Sequence, residues 1–441
     1  MPRPVTRRTF LGQAAGTGLA LGLTRTAARA AAAPSPSAPA VPVTKPVADW
    51  PRWDPRDEAA LLDVLHSGKW GRTAGGASRV KEFEAAWAAR MQARHCIATS
   101  SGTTALLTAL GALNLGPGDE VILPPYTFVA TFNAITASFA LPVFADTDAA
   151  SFQIDPARMA AAITPATKLL LPVHIAGTPA DLDALTALAQ SRGLTLLEDA
   201  CQAPLAEWHG RPVGTAGIGG CFSFQASKNL TSGEGGAIAT NDETFAQLCY
   251  DFHTPGGTKK SASSGRGANY RLTEFQAALL LAQLTRFEAQ AKTRDANAAY
   301  LSQLLRQIPG ITPATLPAGA TRSAWHLYMF RYDAEKFAGL TRAKFLAALA
   351  QAGVAASAGY TSLNTSAHVT ALATNSHYQR LYGKEAMARW VDRNRCPVND
   401  RLVAEAVWFG QTKLLGSRTN MEKIAAAIAG IQKNAGELAR S

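Results

Sequence analysis

The chain has little cysteine, and no spacing that would put it to use. Its 441 residues include five, Cys96, Cys201, Cys221, Cys249 and Cys396. They are scattered, odd in number and contain no CxxC pair, which excludes a disulfide framework and a cysteine-based metal site. Dense Lys/Arg runs interleaved with aromatics are also missing, so nucleic-acid binding has no signature here. No apolar run is long enough to span a bilayer. No internal repeat is found. What is present is 47% hydrophobic and 17% charged residues, with 36 Gly and 24 Pro. That is an ordinary globular composition, long enough for two or three domains of roughly 150 residues each.

The first residues differ from the rest. "TRRTFLGQAAGTGLALGL" sets Arg7 and Arg8 ahead of a short Gly/Ala-rich apolar run, and "ARAAAAP" follows with small residues at Ala28 and Ala30. This pattern predicts a cleavable twin-arginine signal peptide over residues 1–30 rather than a membrane helix. A Pro/Ala/Ser-rich linker over 31–46 comes next. The expected destination is periplasmic or extracytoplasmic, with no membrane association after cleavage. Arg3, Arg7, Arg8, Arg25 and Arg29 lie in that leader, which has no acid, and so contribute +5 of the formal net charge of +11. The remainder is only mildly basic.

From Asp57 the hydrophobic pattern becomes regular. "DEAALLDVLHSG" and "SRVKEFEAAWAARMQ" have helical spacing. Short apolar runs then alternate with helical ones: "CIAT", "EVILP", "LPVFAD", "KLLLPVHI", "LTLLEDA", "GCFSF" and "GAIAT" are separated by amphipathic stretches. Strands joined by crossover helices predict an α/β domain with a mostly parallel sheet, placed at 47–308. A long helix is expected from Thr273 to about Gln307. Residues 309–441 read as a smaller C-terminal α+β domain.

Ligands of such sheets collect at the C-terminal strand ends, and the polar clusters fall there. "TSSGTTAL" puts Ser100, Ser101, Gly102, Thr103 and Thr104 between a strand and a helix, as a phosphate site or a plain N-cap requires. "LPPYTFVAT" offers Tyr126 and Phe128 as rings for stacking. "LTLLEDACQAPLA" ends a strand on Glu198 and Asp199. "CFSFQASKNLTSGEGGAIAT" then brings Ser223 and Lys228 to the mouth of a glycine-rich turn. Each is ordinary alone. On successive strands of one sheet they form the set that pyridoxal phosphate needs: a lysine for covalent attachment, an acid for the ring nitrogen, phosphate donors and a stacking face.

With these residues in view, the chain resembles the DegT/DnrJ/StrS family of sugar aminotransferases, fold-type I pyridoxal-phosphate enzymes. "GTTAL", "PPYTFVAT", "VHIAGTPADL", "EDACQA", "SFQASKNLTSGEGGAI" and "NYRLTEFQAAL" match family blocks in the family's order. The resemblance implies that Lys228 holds the cofactor, Asp199 pairs with the ring nitrogen and Gln202 lies beside the ring hydroxyl. It places Phe128 over the ring, with Tyr126 as the other choice. Gly102, Thr103 and Ser223 are assigned to the phosphate. Asn269 is expected to reach the phosphate of a neighbouring subunit in a homodimer, and His174 and Tyr126 are substrate-side candidates. No metal is expected. Dehydratase relatives carry histidine in place of the lysine, so Lys228 favours transamination.

The implied reaction moves an amino group from glutamate or glutamine to a ketosugar or ketocyclitol, a scyllo-inosose-like ketone or a sugar-linked one. The alternatives are a lyase or epimerase using the same cofactor, and a non-catalytic binding or regulatory member. Lys228 and Asp199 together weigh against the last, which needs neither.

Overall fold

Largely buried four- and five-residue runs build the main sheet, and capped helices carry the chain between them. A computed structural model describes residues 50–76, 78–254 and 265–440. The leader, the linker and residues 255–264 of the stretch His253–Gly267 lie outside them. The strands are β1 (His95–Thr99), β2 (Glu120–Leu123), β3 (Leu141–Phe144), β4 (Thr167–Leu170), β5 (Thr195–Asp199), β6 (Glu207–Trp208), β7 (Arg211–Pro212), β8 (Gly219–Ser223) and β9 (Gly236–Thr240). Four more follow: β10 (Ile311–Pro313), β11 (Ala320–Arg322), β12 (Leu327–Tyr332) and β13 (Ala406–Gly410).

The main sheet has seven strands in the order β1-β9-β8-β5-β4-β2-β3. Every pairing from β3 to β8 is parallel, and β9 alone runs against its neighbours. The expected mostly parallel α/β sheet is thus found. Side-chain caps start the helices that cover it: Ser101 accepts from the Thr104 amide, and Asp181 from that of Ala184. Such caps satisfy amides that the first turn leaves unpaired. The long helix Glu274–Leu305 opens on a Thr273–Gln276 capping box.

Beyond the long helix the chain serves two cores. Strands β10, β12 and β13 form an antiparallel sheet. It packs with the helices Arg342–Gln351 and Arg418–Lys433 around Phe330, Phe345, Phe409 and Ile428. Residues 363–396 instead join the core of the main sheet through Leu363, Tyr378, Met387 and Trp390. There Trp390 Nε1 donates to the Pro142 carbonyl at 2.6 Å, the Phe144 amide donates to Asn394 Oδ1 at 2.8 Å, and Arg393 forks onto Glu120. No helix among the described residues is long and apolar enough to cross a membrane. All five cysteines are free.

Candidate active site

Strand β5 ends on two carboxylates, and strand alternation turns them to opposite faces. Glu198 is fully buried. It accepts the amides of Gly214 (2.7 Å), Ala216 (2.8 Å) and Gly217 (3.3 Å), and its Oε2 lies 2.9 Å from His174 Nε2. His174 Nδ1 accepts the Ala180 amide at 3.0 Å, so the ring proton sits on Nε2 and is donated as a hydrogen bond to Glu198. Every lone-pair direction of that carboxylate is engaged. Asp199 points the other way, into a cavity of about 590 Å³. Its Oδ1 accepts the Cys201 amide at 3.1 Å, and its Oδ2 accepts the Thr131 hydroxyl at 2.8 Å.

Lys228 lines the same cavity, in the connection between β8 and β9. Burial lowers the basicity of its amine, and the nearby Cys201 and Asp199 oppose that more weakly. A lysine so placed has more of its nucleophilic neutral form at a given pH than a solvated one. Nearby, the helix Gly102–Ala112 points its first turn at the cavity, between Ser223 and Ser101. The Ser101 cap takes the Thr104 amide, which leaves the Gly102 and Thr103 amides without an intrahelical partner. The cradle is tight: a Cβ on Gly102 would meet Ser223 Cβ at 2.6 Å, and one on Gly236 the Ser101 carbonyl at 2.2 Å. Free amides at a helix N-terminus with hydroxyls alongside suit a dianionic phosphate.

Phe128 stands at the mouth, 56% exposed despite its apolar ring, with Tyr360 tilted 6.4 Å away. Gln202 is held on two sides. Its Oε1 accepts the Ala176 amide at 2.8 Å, and its Nε2 donates to the Tyr360 hydroxyl at 2.9 Å. Burial raises the Tyr360 phenol to about 12, so it keeps its proton at ordinary pH.

Of the ten residues that the family resemblance assigns to the site, Gly102, Thr103, Phe128, Asp199, Gln202, Ser223 and Lys228 all line this cavity. Three do not. His174 is sealed behind Asp199 by its bond to Glu198, which corrects its expected place beside the substrate. Tyr126 is likewise fully buried, packed edge-on against Phe152 at 5.6 Å and Tyr360 at 5.7 Å. Asn269 is exposed and outside the lining. The sequence reading missed Thr131, Cys201, His326 and Tyr360, which line the cavity too. The first two sit inside quoted blocks. His326 and Tyr360 arrive from the C-terminal third and carry no local signal.

These placements suit one kind of guest: a flat aromatic ring with a phosphate at one end and a carbonyl toward the lysine. At the strand ends of a seven-stranded sheet with one reversed strand, that is the fold-type I arrangement of pyridoxal-phosphate enzymes. The chain belongs to the DegT/DnrJ/EryC1/StrS aminotransferase family, whose model matches residues 51–407. It is 38% identical over 420 residues to the L-glutamine:2-deoxy-scyllo-inosose aminotransferase of Streptoalloteichus tenebrarius, covering 88% of this chain and 96% of that one. With the 3-amino-5-hydroxybenzoate synthase of Amycolatopsis mediterranei the identity is 35% over 388 residues, 86% of this chain and 96% of the other. The crystal structure of 3-amino-5-hydroxybenzoic acid synthase superposes with a TM-score of 0.75 at 34% identity, covering 87% of this chain and 98% of that one. The protein is an aminotransferase.

Proposed function

We propose that the protein holds pyridoxal 5′-phosphate on Lys228 and moves an amino group from L-glutamine or L-glutamate to a ketocyclitol or ketosugar. The observation that carries this reading is the convergence of Lys228, Asp199, Phe128 and the Gly102–Ser223 cradle on one cavity. The named activities of the relatives above support the choice of donor and acceptor. Bound there, the cofactor supplies an aldehyde for amine capture and an electron-withdrawing ring.

The chain's own groups do the rest. The cradle anchors the phosphate, Phe128 covers one ring face, and Asp199, fixed by Thr131 and Cys201, offers a negative charge to the ring nitrogen. Gln202 is clamped beside them. The Lys228 amine would take the proton from the donor's Cα and deliver it to the cofactor's aldehyde-derived carbon on the other side of the amino nitrogen, acting as base and then acid. Donor and ketone use one cavity in turn, so ping-pong kinetics are expected. The working unit in this reading is a homodimer, with Asn269 of each subunit completing its partner's phosphate site. The leader would export the folded protein by the twin-arginine route.

The visible absorption spectrum of the purified protein tests the core of this. A cofactor band that shifts on adding L-glutamine or L-glutamate alone, and returns on adding a scyllo-inosose-type ketone, is the expected result. Lys228→Ala should keep cofactor yet show no turnover. A band indifferent to both donors would overturn amino transfer and turn attention to lyase or epimerase chemistry. For the leader, Arg7→Lys with Arg8→Lys should abolish export of a folded reporter fused after residue 46; undiminished export would refute the twin-arginine reading.

A further inference from the structure

His326 lines the cavity, and it is the one imidazole among the described residues that do so. It is 6% exposed and sits just ahead of β12. Its Nδ1 lies 3.3 Å from Asn229 Oδ1. The other end of that amide is committed, because Asn229 Nδ2 donates to the Ala324 carbonyl at 2.7 Å. An amide so fixed presents only its oxygen, so the ring must carry its proton on Nδ1. That leaves Nε2 as a bare lone pair, and as the nitrogen available to the cavity.

The backbone that delivers this ring is strained and firmly held. Trp325, directly before it, has a φ of 52°, a conformation that a bulky residue adopts only when its surroundings impose it. The Ala324 amide donates to the Gly177 carbonyl at 2.8 Å, the Trp325 amide to Ser323 Oγ at 3.2 Å, and Trp325 Nε1 to Asp295 at 2.8 Å. Gly177 has no side chain where a Cβ would meet Ala324 Cβ at 2.9 Å and the Trp325 nitrogen at 3.0 Å. The His326 carbonyl accepts the Gln411 amide at 3.0 Å. Strain this well supported marks a position where geometry is used.

Two cations face the ring, Lys228 from the cavity and Arg294 from the long helix. With burial as the larger cause, they push its basicity well below that of free histidine. Asp199 and Tyr360 share the cavity but make no hydrogen bond to it. A neutral acceptor next to the reactive lysine has an evident use, since amines are the species exchanged there. Resting on the aminotransferase reading above, we propose that His326 Nε2 accepts a hydrogen bond from the amino group of the incoming donor and orients it for exchange with Lys228.

The test pairs a structural readout with a kinetic one on the full-length holoprotein. Nitrogen-15 spectra of labelled histidines should show one ring, absent in His326→Gln, with its proton on Nδ1. Asn229→Leu should turn that signal into a mixture of tautomers. His326→Phe should keep the visible cofactor band but lower kcat/KM for L-glutamine in the donor half-reaction on the order of tenfold or more, the scale of one hydrogen bond. His326→Gln, whose side-chain oxygen can replace Nε2, should recover most of it. A His326 ring protonated on Nε2, or a His326→Phe variant at the wild-type donor rate, would overturn the proposal. Loss of the visible band in wild type would instead strike the cofactor reading on which it rests.

Discussion

His174 Nε2 donates a hydrogen bond to Glu198 Oε2 across 2.9 Å, one residue before the carboxylate that faces the cavity. The contact ties the stretch after β4 to the end of β5. It is reinforced where the His174 amide donates to the Asp199 carbonyl at 3.0 Å and the Asp199 amide to the Pro172 carbonyl at 2.9 Å. The pair therefore supports Asp199 from behind.

Removing one member of so buried a pair leaves an uncompensated partner. His174→Phe is expected to cost about 3 kcal/mol of stability, measured by urea denaturation of the holoprotein. Glu198→Gln should cost a similar amount, because an amide group cannot accept four donors. A loss under about 1 kcal/mol for both would show the contact to be incidental.

Thr131 is expected to matter for chemistry more than for stability. Thr131→Val removes the 2.8 Å bond to Asp199 Oδ2 while keeping the shape of the side chain. One hydrogen bond to a charged group contributes about 1.5–3 kcal/mol, so cofactor affinity or kcat should fall roughly tenfold to a hundredfold. Thr131→Ser should restore it. Unchanged values in Thr131→Val would remove Thr131 from the site.

Gly102→Ala tests the cradle. The added methyl meets Ser223 Cβ at 2.6 Å, inside any tolerable contact. The helix start must shift away from Ser223, and the phosphate donors shift with it. Cofactor affinity, read by absorbance titration, should drop more steeply for pyridoxal phosphate than for unphosphorylated pyridoxal. Equal losses for the two would place the phosphate elsewhere.

His253 makes acid a destabilising condition. Burial, with Arg72 nearby, lowers its imidazole to about 4. Its Nδ1 lies 2.7 Å from the Tyr250 carbonyl, and its Nε2 is buried without a hydrogen-bond partner. Between that value and the ordinary histidine range the unfolded chain binds a proton that the folded one refuses, so stability rises with pH across this window. The full contribution is present above about pH 6.5 and is lost as pH falls toward 4, a difference of about 3 kcal/mol. His253→Gln should flatten that part of the stability profile. A slope unchanged in the variant would assign the effect to other groups.

The strands of the main sheet, the long helix and the cavity-facing lysine were legible in the sequence because each rests on a local pattern. Apolar runs of strand length mark the sheet, and Lys228 and Asp199 stand at the ends of such runs. The division of labour between Glu198 and Asp199 was legible only through the family resemblance, not in the local pattern. Which carboxylate faces the cavity depends on the pleat and on where the amides of Gly214, Ala216 and Gly217 fall. Tyr360 and His326 were missed for a related reason. They come from sequence far beyond the sheet, and only the fold of the C-terminal region over the cavity brings them in. The burial of His174 belongs to the same class, since its partner is 24 residues away.

The way residues 363–396 settle beside β3 also bears on assembly. An outermost strand normally offers unused amides and carbonyls to any extended segment nearby. Here Pro142 has no amide to offer, its carbonyl is occupied by Trp390, and the Phe144 amide is occupied by Asn394. That margin of the sheet is closed to strand addition. Copies of the protein cannot polymerise edge to edge through it.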